Sequence, residues 1–354
     1  MQLLEEILES AVAQQMADIF IVSGAPVSGK LNRAIVPFDD EQVRPEAAKV
    51  LIKAVYDIAQ REMARLLQTG DDDFSFALGG LARFRVSTYK QRGSLAAVIR
   101  IIPFGIPDAH EMGIPDTVMR IAERMNGLAL VTGPAGGGKS TTQACIIDRI
   151  NKTRASHIIT LEEPIEYLHR DKMSIISQRE IELDSENYVT ALRACLRQSP
   201  DVILVGEMRD YETIQTAMTA AETGHLIIST LHTLSASNTI DRIIDVFPPS
   251  QQQQVRIQLS MLLQSVVSQQ LIPTLDGGLV PVFEVMHLNN AIKNMIRESK
   301  IHQIDTAIAS GAAEGMISMD GSILDLVRKK RVEKDVAIRF AANPDLMQKR
   351  LAAM

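Results

Sequence analysis

Four short, almost uninterrupted apolar runs punctuate the middle of the chain: GLALVT at 127–132, HIITL at 157–161, DVILV at 201–205 and HLIIST at 225–230. Runs of this length and completeness suit strands buried on both faces, and the stretches between them carry the 3.6-residue spacing of helices. The alternation predicts a mostly parallel sheet covered on both sides by helices, an α/β core. Beyond VPVFEVM at 280–286 the pattern turns helical to the end, through NNAIKNMIRESKIHQIDTAIASG and SMDGSILDLVRKK.

The first hundred residues keep a different rhythm. LLEEILESAVAQQ has helical spacing, DIFIV reads as a strand, and EAAKVLIKAVYDIAQREMARLLQTG reads as a pair of helices. DFSFAL, ARFRVSTYK and SLAAVIRII then follow, separated by GG and QRG turns, which predicts an antiparallel meander in a small α+β domain. IPFGIPDAHEMGIPDT, with its prolines and glycines and no period, reads as a linker. The expected organisation is a domain at 1–102, a linker at 103–117 and a larger domain at 118–354.

Composition narrows the function. A chain of 354 residues is long enough for two cores without staples. Cys145 and Cys195 are too few for a disulfide framework or a four-cysteine zinc site, and their apolar helical settings suit buried thiols in a reducing compartment. No run of about 18 apolar residues occurs and the start, MQLLEEILES, is acidic, so the expectation is a cytoplasmic chain with no transmembrane segment. A net charge of −6, no Trp and 4% aromatic residues count against direct nucleic-acid binding.

The chemistry concentrates in GPAGGGKSTT at 133–142. It fits G-x-x-x-x-G-K-[ST], with Gly133, Gly138, Lys139 and Ser140 in the required places. The loop of Gly133, Pro134, Ala135, Gly136, Gly137 and Gly138 can wrap its backbone N–H groups, which all but the proline carry, around an anion. Lys139 reaches the outer phosphates, Ser140 ligates magnesium, and Thr141 is counted with them among the nucleotide-binding positions. The strand GLALVT before it and the helix STTQACIIDRI after it aim a helix N-terminus at the phosphates.

Other positions complete such a site. DVILVGEMRD ends a strand with Glu207, a candidate for holding magnesium. TLEEPIEYLHR carries Glu162, Glu163 and Glu166 beyond HIITL, where a carboxylate can orient the attacking water. His225 and His232 are seven apart, so on one strand they face opposite sides and share no metal; His232 is the one that contacts or senses the terminal phosphate.

Taken together these segments resemble the secretion ATPases of type IV pilus and type II secretion systems. GPAGGGKSTT resembles their Walker A, TLEEPIEYLH their acidic box, ILVGEMRDYETI their Walker B and AAETGHLIISTLHT their histidine box. RFRVSTYKQRG and IDRIIDVFPP are also similar to family segments, so the resemblance covers nearly the whole chain. Departures are Glu163 where the family usually has Asp, Ala135 and Gly137 in place of Thr and Ser, and Phe20 where His is common.

The resemblance implies a PAS-like N-terminal domain, a RecA-like P-loop ATPase domain with a helical C-terminal portion, and a homohexameric ring that clamps ATP with Mg2+. By matching position it makes Glu166 the catalytic glutamate and Glu207 the Walker B acid. Arg83, Arg85, Arg92 and Arg100 lie in or near the region that presents arginines to nucleotide. About 130 residues precede Gly133 and the chain has two cysteines, whereas assembly and export members usually have a longer extension and a four-cysteine insert. AIKNMIRE at 291–298 is similar to the AIRNLIRE segment of retraction motors. The implied function is pilus retraction, with an inner-membrane pilus platform protein and pilins as partners and a place at the inner face of the cytoplasmic membrane.

Overall fold

The computed structural model describes residues 2–31 and 34–354, which divide by their contacts into two units: 1–105 with 166–168, and 106–165 with 169–354.

The first unit is built on six antiparallel strands: β1 (Asp18–Val22), β2 (Pro26–Leu31), β3 (Ala34–Gln42), β4 (Asp71–Leu78), β5 (Ala82–Gln91) and β6 (Ser94–Pro103). Their order is β3-β2-β1-β6-β5-β4, so the meander expected from DFSFAL, ARFRVSTYK and SLAAVIRII is present as β4, β5 and β6. Alternation along β5 explains why it stays in place: Ala82, Phe84, Val86 and Thr88 are buried, while Arg85 and Ser87 between them are exposed. The helices Gln2–Ala13 and Pro45–Ile58 supply Leu4, Leu8, Ile52 and Val55 to the core on the apolar side of this sheet. The hairpin β2–β3 has no counterpart in the sequence reading. β2 carries Ser28, Gly29 and Lys30 in its middle, and β3 is largely exposed despite its apolar start.

The second unit contains seven strands: β7 (Gly127–Thr132), β8 (His157–Glu162), β9 (Ile175–Glu180), β10 (Val202–Val205), β11 (Leu226–Leu231), β12 (Leu263–Pro273) and β13 (Leu279–His287). The order is β13-β12-β7-β11-β10-β8-β9, parallel throughout except for the antiparallel pair β12–β13. The four apolar runs are the four central parallel strands, and every residue of β7, β10 and β11 is buried. One face is covered by a core that includes Ile214, Ile240 and Leu259, the other by one that includes Ile146, Ile147 and Ile150. Residues 106–117, read as a linker, pack on this unit: Ile114 is buried with Val118 and Ile121. A further cluster joins β12 and β13 to the helices Met319–Arg328, Lys334–Phe340 and Pro344–Ala352.

β9 and β12 also escaped the sequence reading. β9 is a polar edge strand, and β12 (LQSVVSQQLIP) carries Ser265, Ser268 and Gln269 in buried positions, which breaks the apolar run expected of an inner strand.

Candidate nucleotide site

Parallel strands end on one edge of a sheet, and ligands of such folds bind at that edge. β7, β11 and β10 are adjacent and in register: Thr132 lies opposite Leu231, and Ser229 opposite Val205. The residues that follow these ends are Gly133, His232 and the Gly206–Glu207 pair. The fold therefore brings the glycine loop, Glu207 and His232 to one edge, although they are separated by up to 99 residues in sequence order.

The loop is shaped by its floor. Gly133 has a φ of 140°, and a Cβ there would lie 2.0 Å from the backbone oxygen of Gln269 on β12. Only glycine fits. Gly137 N–H donates to the Pro134 carbonyl at 3.1 Å and closes the turn. The helix Lys139–Thr153 then starts with its first amides aimed into the loop, the arrangement that favours an anion. Thr142 Oγ1 donates to Gln269 Oε1 at 2.7 Å, and Thr132 and Ser268 hydroxyls meet at 2.9 Å, so β12 holds the loop from both ends. The ammonium of Lys139 is buried and donates to the carbonyls of Gly133 and Pro134, both at 2.9 Å. That position lies within the curl of the loop, where an anion is expected. Ser140 and Thr141 are half-buried beside it.

Glu207 sits between two nitrogen-bearing side chains. Arg209 Nε is 2.6 Å from Oε1, and His232 Nε2 is 3.5 Å from Oε2. Sequence reasoning missed Arg209; its only signal was its place two residues after the acid in GEMRD. Tyr188 lies nearby, and burial first, then the charges of Glu163, Glu207 and Glu162, push its phenol well above the usual range, so it stays protonated. His225 turns the other way: its Nδ1 meets the Ala220 carbonyl at 2.9 Å and the Thr223 hydroxyl at 3.1 Å, a local contact at the start of β11.

The three carboxylates of TLEEPIEYLH are not equivalent. Glu162 Oε1 accepts from Thr160 Oγ1 at 2.7 Å and Gln178 Nε2 at 3.1 Å. Glu163 precedes a cis peptide bond to Pro164. Glu166 is exposed and belongs to the three-residue segment grouped with the first unit.

The arginines fall into two places within the first unit. Arg83, Arg85 and Arg100 share the sheet face opposite the apolar core, with Arg85 directly across from Arg100 on β6 and Asp18 across from Arg100 on β1. Arg100 Nε donates to Asp18 Oδ1 at 2.9 Å, and Arg83 Nη2 donates to Ser75 Oγ at 2.5 Å. Arg92 stands apart, with a φ of 46° in the β5–β6 turn.

A cavity of about 280 Å³ adjoins the first turn of the helix Lys139–Thr153, lined by Thr141 and Thr142, the apolar Met112, Leu271 and Leu279, and Arg331. No sequence motif pointed to it. Met112 lies in the stretch read as linker, Leu271 and Leu279 lie on β12 and β13, and Arg331 lies between two C-terminal helices, all distant in sequence from Thr141 and Thr142. Cys145 and Cys195 are both buried thiols, and burial pushes the first up to about 11.

A family model described as Type II/IV secretion system protein matches residues 1–279. The chain is 41% identical over 348 residues to the Type IV pilus retractation ATPase PilT of Pseudomonas aeruginosa, covering 96% of this chain and 98% of that protein. It is 44% identical over 322 residues to a twitching motility protein of Neisseria gonorrhoeae, covering 91% of this chain and 84% of the other. Among solved structures it is similar to that of the pilus retraction motor PilT with bound ADP, with a TM-score of 0.90, 42% identity, and coverage of 97% and 98% of the two chains.

Proposed function

This chain belongs to the Type II/IV secretion system protein family and is an ATPase of pilus retraction, and we propose how its site performs that work. The observation that carries the reading is the convergence of the glycine loop, Glu207 and His232 on the edge where β7, β10 and β11 end.

In this scheme the phosphates of ATP lie in the loop from Gly133 to Ser140, with the outer ones met by Lys139. The apolar cavity beside Thr141 takes the base and sugar. Its walls of Met112 and Leu271 suit an aromatic ring, and Arg331 supplies polar contact. The Ser140 hydroxyl and the Glu207 carboxylate are hard oxygen donors, the set that magnesium prefers, and they are the residues that would hold it. When bound, magnesium neutralises charge on the phosphate oxygens.

Glu166 is the base for the attacking water in this proposal by its matching position in the family's acidic box, and Glu162 is engaged instead with Thr160 and Gln178. Water adds to the γ-phosphorus, the bond to the β-phosphate oxygen breaks, and ADP and phosphate leave. His232 lies one residue beyond a β11 end that is in register with the loop, so it reports the γ-phosphate to Glu207.

The ring belongs to the same proposal. A homohexamer lets Arg83, Arg85 and Arg100 of a neighbouring subunit, on the sheet face opposite the apolar core, offset the charge that develops on the phosphates. Domain motion during the cycle then acts on an inner-membrane platform protein and pilins at the inner face of the cytoplasmic membrane. Among the described residues no helix is long and apolar enough to cross a membrane, so membrane contact in this scheme runs through the partner. A phosphate-release assay tests the site: wild-type chain turns over ATP, and Glu207→Gln is slower by about 10²-fold or more. A wild-type rate in that variant overturns the assignment.

A further inference from the structure

Glu284 is a carboxylate in an unusual place. It lies on β13, is 5% exposed, and belongs to no motif. Two helices start at it. Ser235 caps the helix Ala236–Asp245 by accepting from the Asn238 amide, and Ser318 caps the helix Met319–Arg328 by accepting from the Gly321 amide. At the first of these, the leading helical amide is left to Glu284: Ala236 N–H donates to its Oε1 at 2.8 Å. The Met319 amide that opens the second helix favours the ionised carboxylate. A negative charge between two helix N-termini is stabilised by both dipoles, and the Ala236 amide gains a charged acceptor.

The first of these helices follows directly on the histidine loop. Four residues, His232 to Ser235, separate the end of β11 from Ala236. Thr233 Oγ1 lies 2.7 Å from Thr239 Oγ1, and that hydroxyl in turn donates to the Ser235 carbonyl at 2.7 Å, so the loop has little slack once Ala236 is fixed. Across the β12–β13 ladder, Glu284 pairs in register with Ser268, whose hydroxyl meets Thr132 at the root of the glycine loop. One buried side chain thus stands at the junction of the histidine loop, the floor of the phosphate loop and the C-terminal helices.

We infer that Glu284 is a positioning residue for hydrolysis: by holding the first amide of the helix Ala236–Asp245 it sets where His232 stands against Glu207, and its place beside the start of the helix Met319–Arg328 ties that position to the C-terminal helical segment. The inference rests on the role given to His232 above. Its ionised form does the holding. Burial, then the facing carboxylates of Asp305 and Asp320, push the Glu284 carboxyl up to about 7, against the lowering effect of the two amides. The sign follows: below that pH the group is neutral, one of its oxygens becomes a donor, and the hold on Ala236 weakens; above it the hold is complete.

The test is a double-mutant cycle on ATP turnover, with Glu284→Gln, His232→Gln and both together. Glu284→Gln keeps the shape and removes the charge. It should lower kcat roughly 10- to 100-fold, the effect of a small displacement at a reacting centre, while KM for ATP stays within about twofold because the glycine loop keeps its own floor. In the double variant the Glu284 change should add less than about threefold to the His232 effect. The wild-type kcat should rise with pH through about 7, and Glu284→Gln should lack that step.

Additive losses in the cycle overturn the inference and leave the His232 assignment standing. A silent His232→Gln overturns both. Should Glu284→Gln not fold, the exposed Asp305→Asn serves instead: removing a charge that raises Glu284 should move the pH midpoint of kcat to lower pH at an unchanged plateau, and an unmoved midpoint overturns the inference.

Discussion

Gly133→Ala perturbs the phosphate loop at its root, and the structure gives the size of the effect. The added Cβ would sit 2.0 Å from the backbone oxygen of Gln269, which pairs with Phe283 on β13 and directly follows Ser268, the last residue paired with β7, so the carbonyl has little freedom to move. Gly133 also holds a φ of 140°, which L side chains rarely adopt. A sparsely populated backbone conformation costs about 1–3 kcal/mol and overpacking a rigid site about 1–3 kcal/mol, so about 2–6 kcal/mol in all. Gly136→Ala is the internal control. Its φ is 72° and a Cβ there meets open space, leaving only the left-handed penalty of about 1–2 kcal/mol. The midpoints of the two ranges differ by about 2.5 kcal/mol, so titration with a fluorescent ADP analogue should show Gly133→Ala binding at least about tenfold more weakly than Gly136→Ala, since about 1.4 kcal/mol is tenfold. Calorimetric melting should show the larger drop in Tm for Gly133→Ala as well. Equal affinities and equal Tm values for the two variants would refute the claim that β12 is the rigid floor of the loop.

Three further outcomes are expected. Lys139→Ala should lose the charged contact to the phosphates, about 1.5–3 kcal/mol, seen as a ten- to hundredfold or greater fall in nucleotide affinity by the same titration; unchanged affinity would sink the loop assignment. Glu166→Gln should spare binding and slow phosphate release by about 10²–10⁴, and if Glu162→Gln shows that pattern instead, the base is the other carboxylate. Lys293→Ala with Arg297→Ala lies on the helix Asn290–Arg297, which buries Ile292 and Ile296. It should leave ATP turnover near wild type and stop retraction in cells, and a parallel loss of turnover would assign the segment to the catalytic core instead.

How much of this was legible in the sequence depends on what each residue answers to. The central strands β7, β8, β10 and β11 were visible because burial on both faces demands uninterrupted apolar runs. The glycine loop was visible because phosphate binding restricts both residue type and spacing. β12 was not, since Ser265, Ser268 and Gln269 are buried to bond the phosphate loop and its neighbours rather than to fill a core, so they read as surface polar residues. The cavity beside Thr141 was hidden for a different reason: its walls come from residues 112, 271, 279 and 331, brought together only by the tertiary fold. Glu284, in the run VPVFEVM, reads as a polar interruption until two helix N-termini arrive at it.

Fluorescently labelled pili in a strain lacking this gene, complemented with wild-type chain or with Lys139→Ala, offer the most direct measurement of the central claim. Wild-type chain should restore shortening of extended pili at ordinary speed, and Lys139→Ala, expressed to the same level, should leave pili extended. Pili that retract normally with Lys139→Ala, or that fail to retract with the wild-type chain while its ATP turnover is intact, would contradict the account of an ATPase whose turnover withdraws pili.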